Sequence, residues 1–247
     1  MVEFYENVIG LETLEREDDR AVLGVDDPLL VLRAEPHRPA RNPDETGLFH
    51  TAFRVPSRAA LGDALTRIEA RWHLDGASDH HVSEALYLTD PENNGVEVYR
   101  DRPQSAWPTD DGRVEMDTLP LALDPLREAA TGADRSPAET TVGHVHLEVS
   151  SLATARSFYV DGLGLDVRQA MSGALFLAFG DYHHHVGCNV WNGRSAPSEG
   201  RGLAWVELVV EAPEAVRARL DAERVTERAN GFEIRDPDGL AVRLRSA

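Results

Sequence analysis

Asp90-Pro91-Glu92-Asn93-Asn94-Gly95-Val96-Glu97-Val98-Tyr99 reads as a tight turn entering a short strand. Asp, Pro, Asn and Gly favour the turn, and the alternation that follows puts Val96 and Val98 on one face and Glu97 and Tyr99 on the other. A carboxylate in mid-strand usually points into water. Whether Glu97 does so depends on what the rest of the chain brings to it.

The stretch returns near the C-terminus as Asp236-Pro237-Asp238-Gly239-Leu240-Ala241-Val242-Arg243-Leu244. Two further pairs show that this is an internal repeat. Gly47-Leu48-Phe49-His50-Thr51-Ala52-Phe53-Arg54-Val55 matches Gly202-Leu203-Ala204-Trp205-Val206-Glu207-Leu208-Val209-Val210, and the Phe4-Tyr5 and Gly10-Leu11 pairs match Phe158-Tyr159 and Gly164-Leu165. Each repeat has one grammar: a strand, a helix, then shorter strands. In the second, Ser57 is placed to cap a helix whose apolar face is Leu61, Leu65, Ile68 and Trp72. Strands are expected around Ala85–Leu88 and Val96–Tyr99, and in the third repeat over Val142–Val149, Ala174–Ala178 and His185–Trp191. The result is an α+β chain of four βαβββ modules, at about 1–34, 46–102, 139–195 and 200–247. The first module lacks its first strand, whose counterpart would lie upstream of Met1. Residues 1–102 are expected to form an N-terminal pair of modules, 103–138 a proline-rich linker with a short helix near Asp124–Ala130, and 139–247 a C-terminal pair.

The formal charge is −18, and every basic residue is arginine because the sequence has no lysine. Such a surface repels nucleic acid and anionic membranes, and it fits an acidic, halophile-like proteome better than it fits any particular substrate. The one cysteine, Cys188, rules out an intramolecular disulfide and a cysteine-based zinc cluster. No apolar run is long enough for a membrane helix, and no signal-peptide pattern opens the chain, so a cytoplasmic location is expected.

His50 and His144 open matching strands in matching modules, and Glu97 ends the second. Together with Asp79-His80, Val82-Ser83-Glu84-Ala85-Leu86-Tyr87, Gly143-His144-Val145-His146-Leu147 and Tyr182-His183-His184-His185-Val186-Gly187, this order resembles the vicinal oxygen chelate superfamily (glyoxalase, bleomycin resistance, extradiol dioxygenase), in particular its catechol 2,3-dioxygenase-like branch with four modules in one chain. The resemblance covers nearly the whole chain. It implies modules paired into two cup-shaped half-barrels, with metal ligands on first and last strands. Carried over position by position, the first-strand residues are His50, His144 and Trp205, and the last-strand residues are Glu97 and Arg243. Trp and Arg bind no metal cation. Pairing the second module with the third would collect His50, Glu97 and His144 into one set, leaving the first and fourth modules to pair as a structural cup.

Two histidines and one carboxylate leave positions open on a metal for substrate and dioxygen. The resemblance therefore implies Fe(II), with Mn(II), Ni(II) or Zn(II) as alternatives, a small aromatic diol and dioxygen as partners, and extradiol ring cleavage as the reaction. A homodimer is compatible with it. Strand alternation makes His185 a fourth ligand or acid–base group; His80 is the other acid–base candidate, and Tyr99 shares the wall of Glu97. Two other readings are a glyoxalase-type metal-dependent isomerase or lyase, favoured if His185 is a ligand, and a drug-binding resistance-type protein without catalysis. The ionisable residues speak against the last, because burying such groups without a metal or a catalytic task is costly.

Overall fold

The computed structural model describes residues 1–110 and 113–246. The chain divides into two units, one formed by Met1–Pro36 with His50–His144 and the other by His37–Phe49 with the residues from Val145 onward.

In the first unit, helix α1 (Val2–Phe4) runs on into a π turn, Tyr5–Ile9, and stops at Gly10 with φ +89°. Glycine is needed there twice over: the left-handed conformation disfavours a side chain, and a Cβ would lie 2.8 Å from the Ser136 nitrogen. Strands β1 (Glu12–Arg16), β2 (Arg20–Gly24) and β3 (Pro28–Arg33) form an antiparallel sheet in that order. After β4 (Gly47–Arg54), helix α2 (Arg58–Arg71) begins at Ser57, whose hydroxyl accepts the Ala60 N–H, and buries Leu61, Leu65 and Ile68 as the spacing requires. Strands β5 (Gly76–Asp79), β6 (Ser83–Thr89) and β7 (Gly95–Asp101) are antiparallel neighbours, and β7 also pairs in parallel with β4. The Asp90 turn is built by its side chain: Oδ1 accepts the Glu92 and Asn94 N–H groups, and Oδ2 accepts the Tyr5 hydroxyl at 3.1 Å.

The connection after β7 lies inside this unit. It carries two short antiparallel strands, β8 (Thr109–Asp110) and β9 (Arg113–Val114), then β10 (Leu119–Pro120), which pairs with β5, and helix α3 (Leu123–Glu128). Leu126 is buried in the core, and at Gly62 of α2 a Cβ would meet the Leu126 carbonyl at 2.5 Å, so glycine lets α3 approach. Farther along, Asp63 accepts the Thr131 and Gly132 N–H groups, and the buried Arg67 donates to the carbonyls of Val8, Ile9 and Ala133. The Val8 and Ile9 carbonyls lie in the last residues of the π turn, where the turn itself supplies no partner.

The second unit repeats the plan. Strand β11 (Thr141–Glu148) passes from the first unit into the second after His144. Helix α4 (Leu152–Arg156) again continues in a π turn, Ser157–Gly162, and β12 (Asp166–Met171), β13 (Ala174–Ala178) and β14 (Val186–Asn189) complete the module in the order β11-β14-β13-β12. The strand expected over His185–Trp191 is confined to β14; His185 precedes it in a loop. The fourth module has β15 (Val206–Val209), α5 (Pro213–Arg217), β16 (Val225–Arg228), β17 (Gly231–Arg235) and β18 (Ala241–Arg245), ordered β15-β18-β17-β16. Tyr159 donates to Asp236 Oδ2 at 3.1 Å, as Tyr5 does to Asp90. At the end of β11 the buried Glu148 receives Arg41 at 3.5 Å, Arg194 at 3.1 Å and the Asn192 amide, and so fastens the 37–49 segment to this unit.

Candidate metal centre

The second module places its polar side chains by strand register. His50 opposes Gly95 and Glu97 opposes Ala52 across the parallel β4–β7 pair, so each long side chain faces a small one and has room to turn inward. The result is a compact set within the first unit. Glu97 Oε2 lies 3.0 Å from His50 Nε2 and 3.2 Å from His144 Nε2, with the three residues 2, 6 and 4% exposed respectively. The mid-strand carboxylate therefore has its buried partners. Burial by itself would push the Glu97 carboxyl up, but the charge and hydrogen bond of His144 and those of His50 hold it well below the usual carboxylate range.

Tyr99, two residues beyond Glu97, is fully buried, with its ring 4.8 Å from the His144 ring. Its hydroxyl fits against Gly143, where a Cβ would stand 1.8 Å from it, so that glycine gives the tyrosine its space. A second tyrosine, Tyr87, belongs to the same neighbourhood and was not singled out from the sequence. It sits opposite Glu97 in the antiparallel β6–β7 pair, and its ring is 5.8 Å from that of His50. The signal was present: Ala85 and Tyr87 alternate in step with Tyr99 and Glu97 once the register is known. Burial first, and then the charge of Glu97, raise the Tyr87 phenol well above its ordinary range, so it stays protonated. His80 Nε2 is 2.6 Å from the Tyr87 hydroxyl.

His185 belongs to the second unit. Its Nδ1 accepts the Phe179 N–H at 3.3 Å, and its ring stacks on Tyr182. The buried histidines there are His146, His183 and His184, with His146 Nε2 at 3.3 Å from His184 Nε2 and His183 Nδ1 at 2.7 Å from His184 Nδ1. No sequence periodicity singles out His184, because it precedes β14 in a loop. Register also identifies the third module's last-strand position, which is Gly187, opposite His146. In the fourth module Arg243 lies over the Trp205 ring at 3.9 Å, a cation–π contact in which the two non-ligand residues satisfy each other.

Two buried imidazole nitrogens, each within hydrogen-bond distance of the same ionised carboxylate oxygen, form a donor set that suits a divalent first-row transition metal. A buried carboxylate shared between two histidines also gains from a cation that would balance its charge. His50, His144 and Glu97 thus fit such an ion.

Residues 1–98 match the family model of the "Glyoxalase/Bleomycin resistance protein/Dioxygenase superfamily". The chain is 40% identical over 255 residues to a protein named catechol-2,3-dioxygenase from Bacillus subtilis, covering 96% of this chain and 88% of that one. Among solved structures, a putative dioxygenase from the same organism superposes with a TM-score of 0.59 at 11% identity, covering 99% of this chain and 80% of the other. Glyoxalase I from Zea mays gives 0.59 at 15% identity, covering 99% and 86%. These two likenesses concern the fold.

Proposed function

Because the chain belongs to the glyoxalase/bleomycin resistance protein/dioxygenase superfamily and is an enzyme of its dioxygenase kind, we propose that it opens the ring of a catechol-like diol with dioxygen, using Fe(II) held by His50, His144 and Glu97. The observation that carries the proposal is one carboxylate oxygen, Glu97 Oε2, lying between two imidazole Nε2 atoms in a buried pocket of side chains. When bound, the metal supplies Lewis acidity toward the diol and one-electron chemistry toward dioxygen.

The protein's own residues do the rest. Glu97 enters the reaction ionised, since its two histidine partners hold its carboxyl low. Burial of all three side chains keeps water away, which strengthens every electrostatic interaction within the set. Tyr87 brings a protonated phenol to the side of Glu97, within hydrogen-bond distance of His80, and so offers a hydrogen-bonding group beside the diol. Tyr99 packs against the His144 ring and limits its rotation.

The test is oxygen uptake by protein purified without air, loaded with Fe(II) and given a panel of catechols. Consumption of one dioxygen per catechol with a yellow ring-opened product supports the reading. An iron-loaded, reduced protein that takes up no oxygen with any of them overturns it and favours the alternative isomerase or lyase chemistry.

A further inference from the structure

His80 is held from two sides. Its Nδ1 lies 2.6 Å from the Asp117 carbonyl oxygen and its Nε2 lies 2.6 Å from the Tyr87 hydroxyl. A carbonyl can only accept, so Nδ1 must carry the hydrogen. In the neutral ring Nε2 is then bare, and the Tyr87 O–H donates to it. The phenol oxygen is left with its lone pairs as the group it offers to anything on its other side.

The residue that imposes this order comes from the connection between the second and third modules. Strand β10 pairs Leu119 with Asp79 and Pro120 with Ser78, which brings Asp117 beside the ring of His80. Asp117 is itself fixed, because its Oδ1 accepts the Thr118 N–H at 2.7 Å. The far side of the turn is fixed as well. Asp79 Oδ1 accepts the His81 N–H at 2.9 Å, Asp79 Oδ2 pairs with Arg102, and His81 is kept at φ +67°. A non-glycine residue in the left-handed region persists only where its surroundings dictate it. The turn that presents His80 is therefore constrained rather than free to choose a rotamer.

We propose that the segment around Asp117 is a positioning element: its carbonyl locks His80 in the Nδ1–H form, which aims the Tyr87 hydroxyl at His80 and turns an acceptor oxygen toward the Glu97 side. The tautomer lock stands on geometry alone. What it serves, accepting a hydrogen bond from a hydroxyl of the diol, rests on the proposed ring-opening function. Asp117 acts through its backbone, so it is a positioning residue.

The experiment is two-bond 15N–1H NMR of the whole protein with 15N-histidine, at neutral pH, which reads tautomers without metal or substrate. Wild type is expected to show His80 with a protonated Nδ1 and a bare Nε2. Asp117→Asn, which keeps the side-chain acceptor for Thr118, is expected to retain that form. Asp117→Ala and Thr118→Pro, which release the turn, are expected to shift His80 toward the Nε2–H form and to lower kcat for catechol severalfold at unchanged bound metal. A wild-type His80 in the Nε2–H form, or a tautomer unmoved in both releasing variants, overturns the lock. A lock that holds in a protein consuming no oxygen refutes the function and leaves the lock intact.

Discussion

Gly187 faces His146 across the parallel β11–β14 pair, and a Cβ on Gly187 would stand 2.1 Å from His146 Nε2. The same two register positions hold Ala52 and Glu97 in the second module and Glu207 and Arg243 in the fourth. The third module has thus moved its large side chain from the last strand to the first. Gly187→Ala should cost about 1–3 kcal/mol by overpacking. Urea unfolding checks this, and adding His146→Ala should recover part of the loss, as expected for two residues in contact.

Glu97 is shared by both histidines. Replacing it with Gln, or His144 with Ala, is expected to lower metal affinity by at least about tenfold in each case, since even outer-shell partners of metal ligands are worth that much. Metal analysis after dialysis against a defined free-metal buffer provides the measurement. If Glu97→Gln abolishes binding while His144→Ala leaves it untouched, the three residues do not form one site.

The Asp236 carboxyl is pushed up to about 6, chiefly by burial, while the Leu240 and Asp238 N–H groups and the Tyr159 hydroxyl oppose the rise. Between the unfolded value near 4 and the folded value, the native state holds the proton more tightly, so stability from this group is present at low pH and is lost as pH rises through about 6. The full effect is of order 3 kcal/mol. Asp236→Asn should flatten the rise in stability that wild type shows on lowering pH across this window, as read by unfolding midpoints.

Glu148 neutralises Arg41 and Arg194 at the end of β11. Removing one side of a buried ion pair costs about 3–5 kcal/mol, because the remaining charges lose their compensation. Glu148→Ala should accordingly release the segment that Arg41 anchors. Limited trypsin digestion is expected to cut after Arg41 in the variant well before it does in wild type.

Much of this was legible in the sequence, and the reasons are local. The repeat exposed Glu97, His50 and His144 because a position occupied in one copy and altered in another shows up without a structure. Helix α2 and the Gly10 stop were readable because their signals, Ser57 with an apolar stripe and a glycine after Ile9, act within one or two turns. Tyr87 escaped because its relation to Glu97 exists only through strand register, which alternation constrains but does not fix. His185 was read as part of a strand, yet it lies in a loop just before β14, where period-two reasoning has no purchase. The connection from 103 to 138 read as a linker through its prolines, yet Asp63, Arg67 and β10 bind it by way of backbone groups, which carry no residue-specific signature.

The bonds from Tyr5 to Asp90 and from Tyr159 to Asp236 have the same length and join the same places, the helix of an odd-numbered module to the turn of the even-numbered one after it. Neither runs the other way. That asymmetry makes the pair of modules, rather than the single module, the unit that this tie repeats. The two pairs differ in what the even module carries, His50 and Glu97 in one and Trp205 and Arg243 in the other, while the tie from helix to turn is present in both.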